Sequence, residues 1–119
     1  MSALTITAAI TDSTISLTRR TDNLSVTTAA GNVDNRIISV VHSGETTHTF
    51  STDIGNAGYV YLKNLDAINY VDVGFATGVY PIRLKAGQVG LFPITPAQAS
   101  LFLLANTAAC RVEIYAHEA

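Results

Sequence analysis

The side chains that could do chemistry are few and scattered. The three histidines are His42, His48 and His117. None lies within metal-ligand spacing of another, and no Glu or Cys completes a cluster. His42 and His48 flank Ser43-Gly44-Glu45, so on a hairpin they would face each other as two exposed polar side chains. Asp66 and Asp72 flank a turn and could act as paired carboxylates, but Asp at strand ends more commonly accepts from local backbone N–H groups. Asp53-Ile54-Gly55-Asn56 has the look of a calcium loop without its alternating oxygen ligands or closing Glu. Ser43 lies in His-Ser-Gly, not in a nucleophile elbow. The glycines Gly74, Gly78, Gly87 and Gly90 lack phosphate-cradling spacing. Cys110 alternates with Val112, Ile114 and Ala116 and reads as a small buried hydrophobe. These residues imply no enzyme: no catalytic group, no metal and no cofactor.

Binding chemistry is better represented than catalysis. Trp is absent, but Tyr59, Tyr61, Tyr70, Tyr80, Tyr115 and Phe92 can supply exposed rings. Tyr59 and Tyr61 fall on the same side of one alternating run. An aromatic stripe there is a ligand platform, a subunit interface or ordinary cross-strand packing. The interface reading assigns Tyr59, Tyr61 and Phe92 to contacts between subunits.

The bulk composition favours burial of surface over ionic recognition. Charged residues are 13% of the 119, about half the usual share of roughly 25%. Fifteen Thr and eight Ser make much of the polar surface hydroxyl. A hydroxyl exchanges water for a partner at lower cost than a charge does. Net charge is −2, and the longest basic run is Arg19-Arg20, so phosphate-led nucleic-acid binding is not expected. No apolar run approaches the roughly twenty residues of a membrane span. Met1-Ser2-Ala3 does not open a signal peptide, and the lone Cys110 has no internal partner for a disulfide.

The elements that must position these residues are strands. Tyr59 to Phe75 holds two alternating runs around Asn64-Leu65-Asp66-Ala67-Ile68-Asn69. Val60 and Leu62 point one way and Tyr59, Tyr61 and Lys63 the other; Val71, Val73 and Phe75 share a face opposite Tyr70 and Asp72. Asn and Asp in the link hold a turn, so the stretch predicts a β-hairpin. Ile37, Ile38, Val40 and Val41 form a more continuous apolar run, expected of a strand covered on both faces. With Thr46 to Ser51 it predicts a second hairpin across Ser43-Gly44-Glu45. Thr14 to Thr18 and Leu24 to Thr27 read as short strands, with Thr21-Asp22-Asn23 a turn between them and Ala29 to Asn35 a loop. Pro81 belongs near a strand start or on an edge, Ala86-Gly87 in a tight turn, and Thr95 to Ala99 in a single helical turn. Residues 1–35 form a Thr-rich strand or arm, an edge strand or a segment lying on a neighbouring subunit, and 36–119 the body. Nine to eleven short strands with almost no helix predict an all-β fold: a two-sheet antiparallel sandwich, jelly-roll-like.

Tyr59-Val60-Tyr61-Leu62-Lys63-Asn64-Leu65-Asp66, Asn69-Tyr70-Val71-Asp72-Val73-Gly74, Ile82-Arg83-Leu84-Lys85-Ala86-Gly87-Gln88-Val89 and Ala105-Asn106-Thr107-Ala108-Ala109 resemble small structural proteins of tailed bacteriophages. The resemblance covers about Ile54 to His117. It implies a virion β-sandwich, a capsid cement (decoration) protein on the capsid surface. Its partners would be the major capsid protein and copies of itself, with a trimer favoured. Others of that size cap tails or carry receptor- or glycan-binding tips, which is the alternative reading.

Overall fold

The computed structural model describes every residue except 1, 13, 15, 16, 29–31, 55, 56, 96 and 97. The chain divides into two units, Met1–Gly31 and Asn32–Ala119.

The first unit is one antiparallel pair, β1 (Ser2–Asp12) and β2 (Leu17–Thr28). The predicted turn at Thr21-Asp22-Asn23 is instead strand. Ile6 faces Leu24 while Ala8 faces Thr21, so Asp22 and Asn23 together oppose Thr7. The pair absorbs its turn-forming residues as a β-bulge and runs on as one long ribbon.

The second unit begins before the predicted loop ends, since β3 spans Val33–Val40. It continues with β4 (Thr46–Thr49), a 3-10 turn at Thr52–Ile54, β5 (Ala57–Asn64), β6 (Val71–Gly74), β7 (Ile82–Leu84), β8 (Val89–Pro93), β9 (Ser100–Ala105) and β10 (Cys110–Glu118). Two four-stranded antiparallel sheets result, β3-β10-β5-β8 and β4-β9-β6-β7. Apart from β6 to β7, every step along the chain from β3 to β10 passes from one sheet to the other. That is the strand order of a jelly roll, the expected fold.

The same topology overturns both predicted hairpins. β5 pairs with β10 and β8, whereas β6 pairs with β7 and β9. β3 pairs with β10, and β4 with β9. Each presumed partner carries its own apolar face. Val60 and Leu62 of β5, and Val71 and Val73 of β6, are all fully buried. Burying two such faces against each other removes more apolar area from water than edge pairing alone. The links are therefore corners between layers. The core they enclose also takes Leu101 and Leu103 of β9, Val112, Ile114 and Ala116 of β10, and Phe50 and Ile54 from the β4–β5 connection.

Local chemistry places the corners. Asn64 is fully buried at the end of β5. Its Nδ2 donates to the carbonyls of Asn69 (2.9 Å) and Leu84 (3.0 Å), and its Oδ1 accepts from Asp66 N–H (3.0 Å). Asp66 in turn accepts from the N–H groups of Ile68 and Asn69. Gly87, at φ 76°, makes the predicted tight turn after Ala86, and Pro81 stands immediately before β7. At Gly74 a Cβ would sit 1.7 Å from the Val79 carbonyl oxygen, so the β6–β7 hairpin can close only over glycine. Of the predicted helical turn, Gln98 N–H donates to Thr95 O at 3.0 Å, while residues 96 and 97 lie outside the described residues.

Candidate assembly surface

Alternation along four paired strands turns every second side chain of β3-β10-β5-β8 away from the core. Cross-strand register lines them up in rows. Asn35, Tyr115, Tyr61 and Leu91 make one row; Ile37, Glu113, Lys63 and Val89 make the next; Val33, His117, Tyr59 and Pro93 lie on the other side. Val33, Ile37, Val89 and Leu91 are exposed, and Tyr59, Tyr61 and Tyr115 are half-buried. Among the central rows the charges are Glu113 and Lys63, directly opposite each other, where opposite signs stabilise a cross-strand pair. The outer face is thus aliphatic and aromatic, with Glu113 and Lys63 opposed at its middle and Arg111 exposed one outward position further along β10.

Tyr59 and Tyr61 occupy the outer face where the alternation put them. Phe92 does not join them. It is in register with Val60, packs against the core and meets Phe75 edge-to-face at 5.9 Å. Leu91 takes the outer position beside Tyr61 instead. β8 reads Val89-Gly90-Leu91-Phe92, apolar on both parities, so only the register with β5 decides which side chain turns outward.

The reactive side chains are spread through structural roles. His48 is buried, not exposed, and does not face His42, because β3 and β4 lie in different sheets. Its Nε2 lies 3.4 Å from Asp34 Oδ2 but makes no hydrogen bond. Burial pushes the His48 pKa down, and Arg36 adds to that, while the nearby Asp34 carboxylate opposes it. Asp34 is itself buried. It accepts from Arg36 Nε and from Ser51 N–H, each at 2.8 Å. A buried carboxylate persists only with such donors around it. His117 is buried next to Tyr115, with Nδ1 2.9 Å from Glu118 O.

Asp66 and Asp72 do not form a carboxylate pair. Asp66 holds its own turn, and those backbone donors keep its carboxyl below the usual range. Asp72 accepts from Arg83 Nε and Nη2 at 2.7 and 3.1 Å, and the same guanidinium lies 3.8 Å from the centre of the Tyr70 ring. Tyr80 donates to Glu45, which also accepts from Gly78 N–H, tying the β3–β4 corner to the β6–β7 turn. Asp53 lies in the 3-10 turn, and residues 55 and 56 of the calcium-like stretch lie outside the described residues. Cys110 is buried in the core, and burial raises its thiol pKa. Among the described residues no three His, Cys, Asp or Glu side chains are grouped to hold a metal ion.

No family model and no curated protein matches the chain. Among solved structures it is similar to a chain described under "Bacillus endospore appendages form a novel family of disulfide-linked pili", at 18% identity and a TM-score of 0.39. That match covers 83% of this chain and 100% of the other.

Proposed function

We propose that this protein is a structural component of a larger assembly, a bacteriophage capsid cement protein that stabilises the head by binding across shell subunits. The observation that supports the reading is the outer face of β3-β10-β5-β8. Three tyrosines and four exposed aliphatic side chains surround Glu113 and Lys63, which stand opposite each other in register. Each 100 Å² of apolar area removed from water on such a face contributes about 2.5 kcal/mol before association costs. Repetition of identical contacts around a shell multiplies the effect. The sequence resemblance of Ile54 to His117 supplies the setting.

The test is sizing chromatography with light scattering, followed by co-sedimentation with tailed-phage heads. The wild-type chain should self-associate at micromolar concentration and pellet with heads, and Tyr61→Ala should weaken both. A strict monomer, indifferent to Tyr61→Ala and left in the supernatant, overturns the proposal. The row of Tyr115 and Tyr61 also suits a sugar-stacking platform, the tail-tip alternative. Retention of the isolated protein on a glycan array with no affinity for heads would select it.

A further inference from the structure

A two-sheet sandwich has four edge strands, and three of these are guarded. β4 has four residues and β7 three, with Pro81 immediately before it. β8 has five and ends on Pro93. Short edges and prolines prevent pairing with other chains. β3 is the exception: eight residues, no proline, no lysine, and no strand hydrogen-bonded to its outer edge among the described residues. It also carries exposed aliphatic side chains at Val33 (42%) and Ile37 (51%), with Val41 (41%) one residue beyond its end. The continuous apolar run predicts a strand covered on both faces, and in this chain only the inner face is covered.

We propose that the occupant of this edge is β3 of a second copy, paired antiparallel about a two-fold axis through Ile37 to join two sheets into one of eight strands. Residues directly opposite in an antiparallel pair share a face, so only registers centred on a residue are consistent with the pleat. Centring on Ile37 sets Ile37 against its own copy and Val33 against Val41 twice. Asn35 then meets Ser39, both polar. Backbone pairing runs over Asn35 to Ser39, roughly 17 Å of edge at about 3.4 Å per residue, because Val41 N–H already donates to Thr46 Oγ1 and Val41 O accepts from Ala105 N–H; Val33 and Val41 meet through their side chains. Centring one residue earlier sets Arg36 against Arg36, a like-charge contact, and leaves Val33 against Ser39. Centring on Asn35 opposes Val33 to Ile37 but leaves Val41 without an opposite, and centring on Ser39 does the same to Val33, so only the Ile37 register sets all three exposed aliphatic side chains against one another. This pairing rests on the assembly reading above and names one of its contacts.

Cysteine cross-linking reads the register directly. Opposed residues of an antiparallel pair have Cα atoms within disulfide reach, whereas positions four residues apart along the strand do not. Ile37→Cys should yield a covalent dimer under mild oxidation at least tenfold faster than Ser39→Cys alone. Mixing Asn35→Cys with Ser39→Cys should restore fast cross-linking. Ile37→Lys should raise the concentration at which light scattering detects dimers by tenfold or more. Ile37, half exposed and outside the core, tolerates these changes without loss of the fold, which circular dichroism checks. A chain that self-associates while Ile37→Cys links no faster than Ser39→Cys overturns this pairing and leaves the assembly reading standing. A chain that stays monomeric and ignores phage heads overturns both.

Discussion

His48 shows how one residue ties pH to stability. Its buried imidazole is held below its ordinary value of 6.5, chiefly by desolvation. The unfolded chain therefore binds a proton more readily than the folded one as pH falls past that value. Its contribution to stability is fully present above about pH 6.5 and is lost as pH falls through the lowered folded-state pKa. The groups facing it are Asp34, whose charge partly offsets the cost of protonation, and Arg36, whose charge adds to it. The melting temperature should fall between pH 7 and pH 5, and a His48→Gln variant should show a flatter profile across that window. Calorimetry at half-unit pH steps checks this. An identical slope in both proteins would assign the acid sensitivity elsewhere.

At the scale of the element, the corner after β5 decides more than any strand. Asn64, itself fully buried, satisfies the carbonyls of Asn69 and Leu84 and the N–H of Asp66, joining the link after β5 to the end of β7. Replacing it with Ala leaves the buried Leu84 carbonyl without a partner and the half-buried Asn69 carbonyl and Asp66 N–H dependent on water, at roughly 1–3 kcal/mol for a fully buried unsatisfied group before relaxation. Asn64→Ala should cost about 3 kcal/mol in urea denaturation with the slope unchanged. Asp66→Ala, whose bonds lie at the surface, should cost less than half as much. The turn chemistry of this link was legible as Asn and Asp around a short polar run. That it turns the chain between sheets, and not back along the same sheet, was not legible, because the same residues serve either connection.

At the scale of the molecule, the chain separates a two-stranded ribbon from a self-contained sandwich. Among the residues whose burial is described, the sixteen buried hydrophobic core residues lie between Val40 and Ala116, within Asn32–Ala119. A two-stranded hairpin is marginal alone in water, whereas a closed two-layer core is not. A chain beginning at Asn32 should therefore keep cooperative thermal unfolding, with a melting temperature within a few degrees of the full chain. A peptide of residues 1–31 should show little strand signal by circular dichroism. If the shortened chain failed to unfold cooperatively, the sandwich would depend on the first unit.

Strand positions from β4 onward, the inward face of β5, β6 and β10, the burial of Cys110 and the turn at Gly87 were set by alternation and by residues with one favourable conformation, whereas Thr21-Asp22-Asn23 and Val33 to Asn35 were drawn into strands. These are local properties, since side-chain period and backbone sterics act over a few residues. Pairing was decided only in three dimensions, because a strand can bond any neighbour, and burial of two apolar faces outweighs adjacency in sequence. The same contest took His48 inside, turned Phe92 toward Phe75 and left Leu91 beside Tyr61. It also left β3, apolar on both faces by sequence, at the rim of a sheet with one of those faces still open to water.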